Sequence, residues 1–168
     1  ATDNGLSTPR PVDLNGDGTV DVVYAGDLKG NMWKFNISNK VSSNWGVALG
    51  GNPLYIAKDS TDTRQPITSA PNVRTNKSVG GMMVAFGTGR NVTKDDPTSL
   101  DVQTLYSVLD NTRYREVTSA LGKRLEVHPG GGTCPSGADC VPAPAALGTG
   151  VLAAKLAQQK FTELSGGE

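Results

Sequence analysis

One histidine, two cysteines, three phenylalanines and an even balance of charge leave this 168-residue sequence with little from which to build several common kinds of site. A lone His128, next to Pro129 in a Gly-rich stretch, has no second histidine at metal-ligand spacing, so neither a zinc site nor a His-based catalytic site is expected. Sixteen Lys plus Arg offset sixteen Asp plus Glu, and the isoelectric point of about 6.8 provides no basic field for nucleic acid or an anionic membrane surface. No apolar run approaches the roughly 18 residues of a membrane span. The first residues, ATDNGLSTP, have neither a basic nor an apolar region of signal-peptide type. Any export signal is therefore expected upstream.

What is abundant points elsewhere. Glycine (21) and proline (10) are frequent, and charged residues make up only 19%, the composition of a turn-rich, extracytoplasmic all-β protein. The cysteines, Cys134 and Cys140, bracket a segment whose Pro135 and Gly137 can fold the chain back. A local disulfide is expected, closing a loop worth roughly 2 kcal/mol; the alternative is a pair of unlinked thiols.

The most specific local pattern is Asp13-Leu14-Asn15-Gly16-Asp17-Gly18-Thr19-Val20-Asp21, or D-x-N-x-D-G-x-x-D. Calcium takes six to eight hard oxygen ligands, and a tight loop offers them from alternate residues, with Gly18 allowing the turn. The expected ligands are Asp13, Asn15, Asp17, the backbone carbonyl of Thr19, and Asp21. Three carboxylates around a divalent ion leave a site charge of about minus one, matching a Kd roughly between submicromolar and hundred-micromolar. A helix-loop-helix site would need glutamate where Tyr24 stands, and the flanks read as strands, so this is not an EF-hand.

After the loop, Val20 to Gly26 and Met32 to Ile37 read as a hairpin with Lys29-Gly30-Asn31 at its tip. Trp33, Phe35 and Ile37 alternate with Lys34 and Asn36, which predicts the aromatics inward and Lys34 outward. A second unit repeats this grammar, with strands at Gly80 to Arg90 and Val102 to Asp110 around a polar loop at 91–101. Gly26 and Gly87 end equivalent strands, and Asn36 and Asp110 close the next ones. Pro53 to Ala57 reads as a strand. Residues 64–73, with Pro66 and Pro71, read as an extended edge segment. Residues 128–150 read as an exposed loop. Residues 151–164 have helical spacing in an Ala-rich run, so a short helix is expected there.

Several of these segments together resemble the carboxy-terminal propeller region of the PilY family, in the same order. They are Thr2 to Ser7, the calcium loop, Tyr24 to Phe35, Arg64-Gln65-Pro66-Ile67-Thr68 with Pro71, and Phe86-Gly87-Thr88-Gly89-Arg90. The resemblance implies part of a modified quinoprotein-type β-propeller, about two to three blades, with long inserted loops. The chain is expected to be a single domain or a fragment of a larger propeller, comprising a calcium loop plus hairpin (1–40), a second blade-like unit (41–110) and a loop-rich region with Cys134, Cys140 and a terminal element (111–168). Leu156 to Thr162 looks like a late strand of that family, against the helix. The implied role is non-enzymatic. It is that of a calcium-binding protein of the bacterial type IV pilus, with pilus biogenesis, twitching motility and surface adhesion as its functions and the ion antagonising retraction. Pilins or minor pilins are the implied partners, with host surface ligands as further candidates. The implied location is the surface or pilus of a Gram-negative bacterium, reached through the periplasm.

Two other classes share parts of the pattern. Integrin-like propellers use the same calcium motif, but in several blades, and here it occurs once. Quinone-dependent dehydrogenases share the blade grammar but use vicinal cysteines, unlike Cys134 and Cys140. Gly87-Thr88-Gly89-Arg90 lacks the lysine and the following helix of a phosphate loop. Trp33 reads as a core aromatic. Trp45, among Ser43, Asn44 and Gly46, is the better contact residue.

Overall fold

β-branched and aromatic runs interrupted by glycine turns give the chain an all-β architecture. The structure, a computed structural model, describes residues 3–76, 80–129, 140–141 and, for the backbone, 163–164. The strands are β1 (Arg10–Val12), β2 (Val22–Gly26), β3 (Asn31–Asn36), β4 (Gly46–Val47), β5 (Tyr55–Ile56), β6 (Asn72–Thr75), β7 (Met82–Gly87), β8 (Gln103–Asp110), β9 (Tyr114–Ser119), β10 (Gly122–Val127) and β11 (Glu163–Leu164). One antiparallel sheet has the order β1-β2-β3-β4, with β5 also pairing β3; a second has the order β11-β8-β7-β6; β9 and β10 form a separate hairpin. Among the described residues the only helical elements are short 3-10 turns.

The repeat read from the sequence is visible in the register. Asn36 lies opposite Val22 and Asp110 opposite Met82, so each second strand ends against the start of its partner. The sheets meet through Val22, Tyr24 and Met32 on one side and Val84, Phe86 and Tyr106 on the other, all in one buried cluster. Phe86 stacks on Tyr106 at a centroid distance of 5.3 Å, and Tyr55 tilts against Tyr106 at 5.1 Å. These rings fill the interface at the offset and tilted distances that aromatic quadrupoles favour.

The facing of β3 is the reverse of the expectation. Met32 and Lys34 are fully buried, while Trp33, Phe35 and Ile37 lie half-buried on the opposite face. Alternation fixes which residues share a face, but a lysine marks the solvent side only if no partner waits inside. Here one does: Asp110, on the other sheet, lies 2.6 Å from Lys34 Nζ.

The extended segment at 64–73 is also not an edge over its whole length. Gln65 and Ile67 are buried because the chain passes between the sheets, with the Gln65 N–H bonded to the Ala57 carbonyl and the Ile67 N–H to the Asp27 carbonyl. Only β6 borders β7. The approach is close: a Cβ on Gly30, at φ +76°, would meet the Gln65 carbonyl oxygen at 2.6 Å and that of Ala57 at 2.9 Å. Gly30→Ala is therefore expected to cost about 2–3 kcal/mol, from overpacking together with a left-handed backbone. A lower urea midpoint at unchanged slope would register it; an unchanged midpoint would mean that the crossing segment gives way.

In the region expected to be loop-rich, residues 114–127 instead form the β9–β10 hairpin, turning between Ser119 and Gly122. Neither arm alternates strictly, since Arg115-Glu116 and Lys123-Arg124 are adjacent charged residues, so strand periodicity gives only a weak signal for this hairpin. At the chain's end Glu163 and Leu164 pair with β8, as a strand does; residues 151–162, where the helix was expected, lie outside the described residues.

Candidate metal centre

β1 and β2 pair with Val12 opposite Val22, so residues 13–21 form the closed loop of a hairpin, tied at its base by the Asp21 N–H to the Val12 carbonyl (3.0 Å). The acidic side chains organise this loop. Asp13 accepts the N–H groups of Gly16 (2.7 Å) and Gly18 (2.8 Å), Asn15 Oδ1 accepts that of Asp17 (3.2 Å), and Asp17 accepts that of Thr19 (2.8 Å). Asp21 accepts the N–H of Leu14 (2.7 Å). Gly16 as well as Gly18 has positive φ, so the turn needs two glycines where the sequence reading used one. All the expected ligands, Asp13, Asn15, Asp17, Thr19 and Asp21, thus belong to one short loop.

The electrostatics are those of crowded like charges. Burial, with the nearby charges of Asp17 and Asp13, pushes the Asp21 carboxyl above its ordinary value despite the Leu14 N–H. Asp17 is held below the ordinary value, chiefly by the Thr19 N–H. Among the described residues no three Asp, Glu, His or Cys side chains gather into a metal cage. Each carboxylate instead accepts N–H groups of the loop itself. The donor set still fits calcium: three carboxylates, an amide oxygen and a carbonyl, all hard oxygens on one loop, with lone pairs beyond those the N–H groups take.

The model of the PilY1 beta-propeller domain matches residues 1–128. The chain belongs to the PilY1 β-propeller family. A Type IV pilus biogenesis factor PilY1 homolog of Xylella fastidiosa is 42% identical over 113 residues, covering 64% of this chain and 8% of that protein. Type IV pilus biogenesis factor PilY1 of Pseudomonas aeruginosa strain PAO1 is 40% identical over 125 residues, covering 64% of this chain and 11% of that protein. The crystal structure of the Pseudomonas aeruginosa PilY1 C-terminal domain superposes with a TM-score of 0.60 at 32% identity, covering 74% of this chain and 34% of that one. The chain therefore spans about a tenth of the curated relatives it matches.

Two buried polar centres hold the described part of the fold together, and sequence reading identified neither. The first joins the sheets. Asp110 Oδ2 lies 2.6 Å from Lys34 Nζ, both side chains being at most 2% exposed, and accepts the Tyr24 hydroxyl at 2.6 Å. Asp110 Oδ1 accepts the Thr112 N–H, and the Lys34 ammonium sits 5.3 Å from the centre of the Tyr114 ring. Burial pushes the Asp110 carboxyl upward, but the Lys34 charge and the bonds from Lys34, Tyr24 and Thr112 outweigh it and hold the group below its ordinary value. The second is Asp27, at the β2–β3 turn. It accepts the N–H groups of Lys29 and Asn31, the amides of Asn4 and Asn31 and the Trp33 indole N–H. The sequence did carry a signal for Asp27, an acid just before Lys-Gly-Asn at a turn. Lys34 and Asp110, far apart in the chain, carried none.

The other sequence candidates fall as follows. Trp33 is only half-buried and is held by its bond to Asp27. Trp45 is 49% exposed, with its indole N–H on the Asn39 carbonyl. The backbone N–H groups of Thr88 and Gly89 are bonded to the Thr104 and Pro66 carbonyls, and Arg90 pairs with Asp96, so this turn presents no phosphate cradle. His128 closes the β9–β10 hairpin, its backbone N–H on the Arg113 carbonyl. Cys140 is buried; Cys134, and with it the expected disulfide, lies outside the described residues.

Proposed function

We propose that this chain is a calcium-binding, non-catalytic part of a type IV pilus biogenesis protein, in which occupancy of the 13–21 loop governs pilus extension and retraction, and through them twitching motility and surface attachment. The observation that carries this reading is the family match over residues 1–128, which contains the whole acidic loop, with relatives named as type IV pilus biogenesis factors. Asp13, Asn15, Asp17, Asp21 and the Thr19 carbonyl hold the ion. Bound calcium supplies the positive charge that relieves repulsion among the three carboxylates. The chain's own contribution is to pre-shape the loop through the Asp13 and Asp17 bonds to its backbone and to anchor it through Asp21, the one buried acid of the set. Its partners are pilins or minor pilins, with host surface molecules as further candidates, and it works at the pilus or cell surface of a Gram-negative bacterium. A Cys134–Cys140 disulfide would suit that oxidising location.

Calcium at a hundredfold excess over its Kd should stabilise the fold by about 2.7 kcal/mol, or about 5–10 °C in Tm for a chain of this size. Asp17→Ala should abolish the difference between melts in calcium and in chelator. Superimposable wild-type melts in the two conditions would remove the site. For the cellular role, the full-length protein carrying Asp17→Ala should alter twitching and its dependence on calcium; wild-type motility at low and high calcium would count against regulation while leaving binding intact.

A further inference from the structure

Where the β2–β3 turn meets the connection from β7 to β8, the fold encloses a polar cavity of about 590 Å³. Its walls are Leu28, parts of residues 59–66 and parts of residues 89–103, and no residue of the 13–21 loop lines it. Asp59, Asp95, Asp96 and Asp101 share these walls with Arg64 and Arg90, four carboxylates against two guanidiniums. The cavity therefore attracts cations.

Hydrogen bonding separates the groups that build the cavity from those left open in it. Asp96 builds it: Oδ1 accepts the Arg90 Nε–H at 2.9 Å, and Oδ2 accepts the N–H groups of Val92 and Thr93 at 2.8 and 2.7 Å. That pins the connection from β7 to β8 in place, so the site is formed in advance. Gln65 does the same from below, donating to the Val102 carbonyl and the Thr104 hydroxyl. What remains is acceptor capacity. Asp95 and Asp101 are exposed and join the hydrogen bonding of the described residues only through their backbones. Asp59 takes its bonds from Thr61 and Thr63 on Oδ1, which leaves Oδ2. Gln103 Oε1 is sealed from solvent and accepts no hydrogen bond among the described residues, a cost that an entering donor would remove. A metal ion does not suit these acceptors, because among the described residues no three acids gather closely enough to hold one. An extended cation with several N–H donors does. Beside the acids, Leu100 is 96% and Val102 38% exposed, apolar surface of the kind that partner proteins cover.

We infer that this cavity receives an arginine side chain of a partner protein, its guanidinium drawn to Asp95 and Asp101 and donating to Gln103 Oε1, while apolar residues next to that arginine pack on Leu100 and Val102. Charge complementarity selects a cation, and the spread of the acceptors selects a planar fork of five donors over a point charge. The inference depends neither on calcium in the 13–21 loop nor on a role in twitching.

The test uses the full-length protein and the peptide Ac-Leu-Arg-Leu amide carrying a benzophenone, cross-linked by light and located by mass spectrometry. Cross-links should concentrate in residues 59–66 and 89–103, and their yield should fall at least about tenfold when Asp95→Asn and Asp101→Asn are combined. Neither carboxylate bonds within the described fold, so the doubly substituted protein should melt within about 2 °C of wild type. Asp62→Asn removes an acid that is 79% exposed on the turn after Asp59 but outside the cavity, and should change the yield by less than about twofold. Cross-links that scatter over the surface, that survive the double substitution, or that fall as far in Asp62→Asn overturn the inference. So does an equal yield from Ac-Leu-Glu-Leu amide with the same benzophenone. Full competition by equimolar spermidine also overturns it, assigning the cavity to free amines.

Discussion

Asp110→Ala is expected to destabilise the fold by about 3–5 kcal/mol, the cost of leaving a buried charge without its partner. The substitution strands the Lys34 ammonium, whose side chain is 1% exposed, and removes the acceptor of the buried Tyr24 hydroxyl. Asp110→Asn should cost nearly as much, because an amide keeps an acceptor for Tyr24 but cannot balance the lysine. Lys34→Met with Asp110→Leu should recover most of the loss, since a well-packed apolar replacement of a buried pair is often neutral or better. For a chain of this length the Asp110→Ala loss corresponds to a fall in Tm of about 6–20 °C. Thermal melts of the four proteins check the set; a single variant within 2 °C or so of wild type would mean that water reaches the pair.

The same residue sets an acid limb. The folded Asp110 carboxyl lies below its ordinary value, so its contribution is fully present above the unfolded pKa of about 3.9 and is lost as the pH falls through the lower, folded value. Stability should therefore fall steeply below about pH 4 in the wild type and less steeply in Asp110→Ala. Parallel acid limbs would show that other carboxylates dominate.

Asp27→Ala should cost about 3–4 kcal/mol, because it orphans several donors at once at a buried turn. The Asn31 N–H and amide and the Trp33 indole lose their shared acceptor, and Asn4 loses the bond that ties the start of the chain to the hairpin. Asp27→Asn should cost about half as much, since one acceptor oxygen remains while the new amide faces other donors. Urea unfolding followed by tryptophan fluorescence would measure both, and the native spectrum should shift in Asp27→Ala as the Trp33 environment changes. Asp27→Ala with a midpoint and spectrum like wild type would mean that the backbone bonds of the turn suffice without the side chain.

These two acids separate what sequence reading could reach from what it could not. The hairpins, the equivalence of Gly26 with Gly87 and of Asn36 with Asp110, and the single loop that collects Asp13, Asn15, Asp17 and Asp21 all rest on neighbours within a few residues. At that range residue type and spacing determine geometry: glycine where φ is positive, carboxylates where a tight loop offers N–H groups, alternation where a strand has two faces. Family resemblance reached the propeller class by the same local segments. The β9–β10 hairpin was equally local and was missed because its strand periodicity is weak.

The sequence alone therefore determined the all-β class, the β2–β3 and β7–β8 strand pairs and the short loop that carries Asp13, Asn15, Asp17 and Asp21. Only the tertiary structure decided which face of β3 is buried, where residues 64–67 run and how the two sheets are joined. The physical reason is the same each time. Strand alternation is symmetric between faces, and whether Lys34 lies in water or in the core depends on one carboxylate 76 residues away in the chain, which brings an opposite charge to within 2.6 Å only once both sheets have formed.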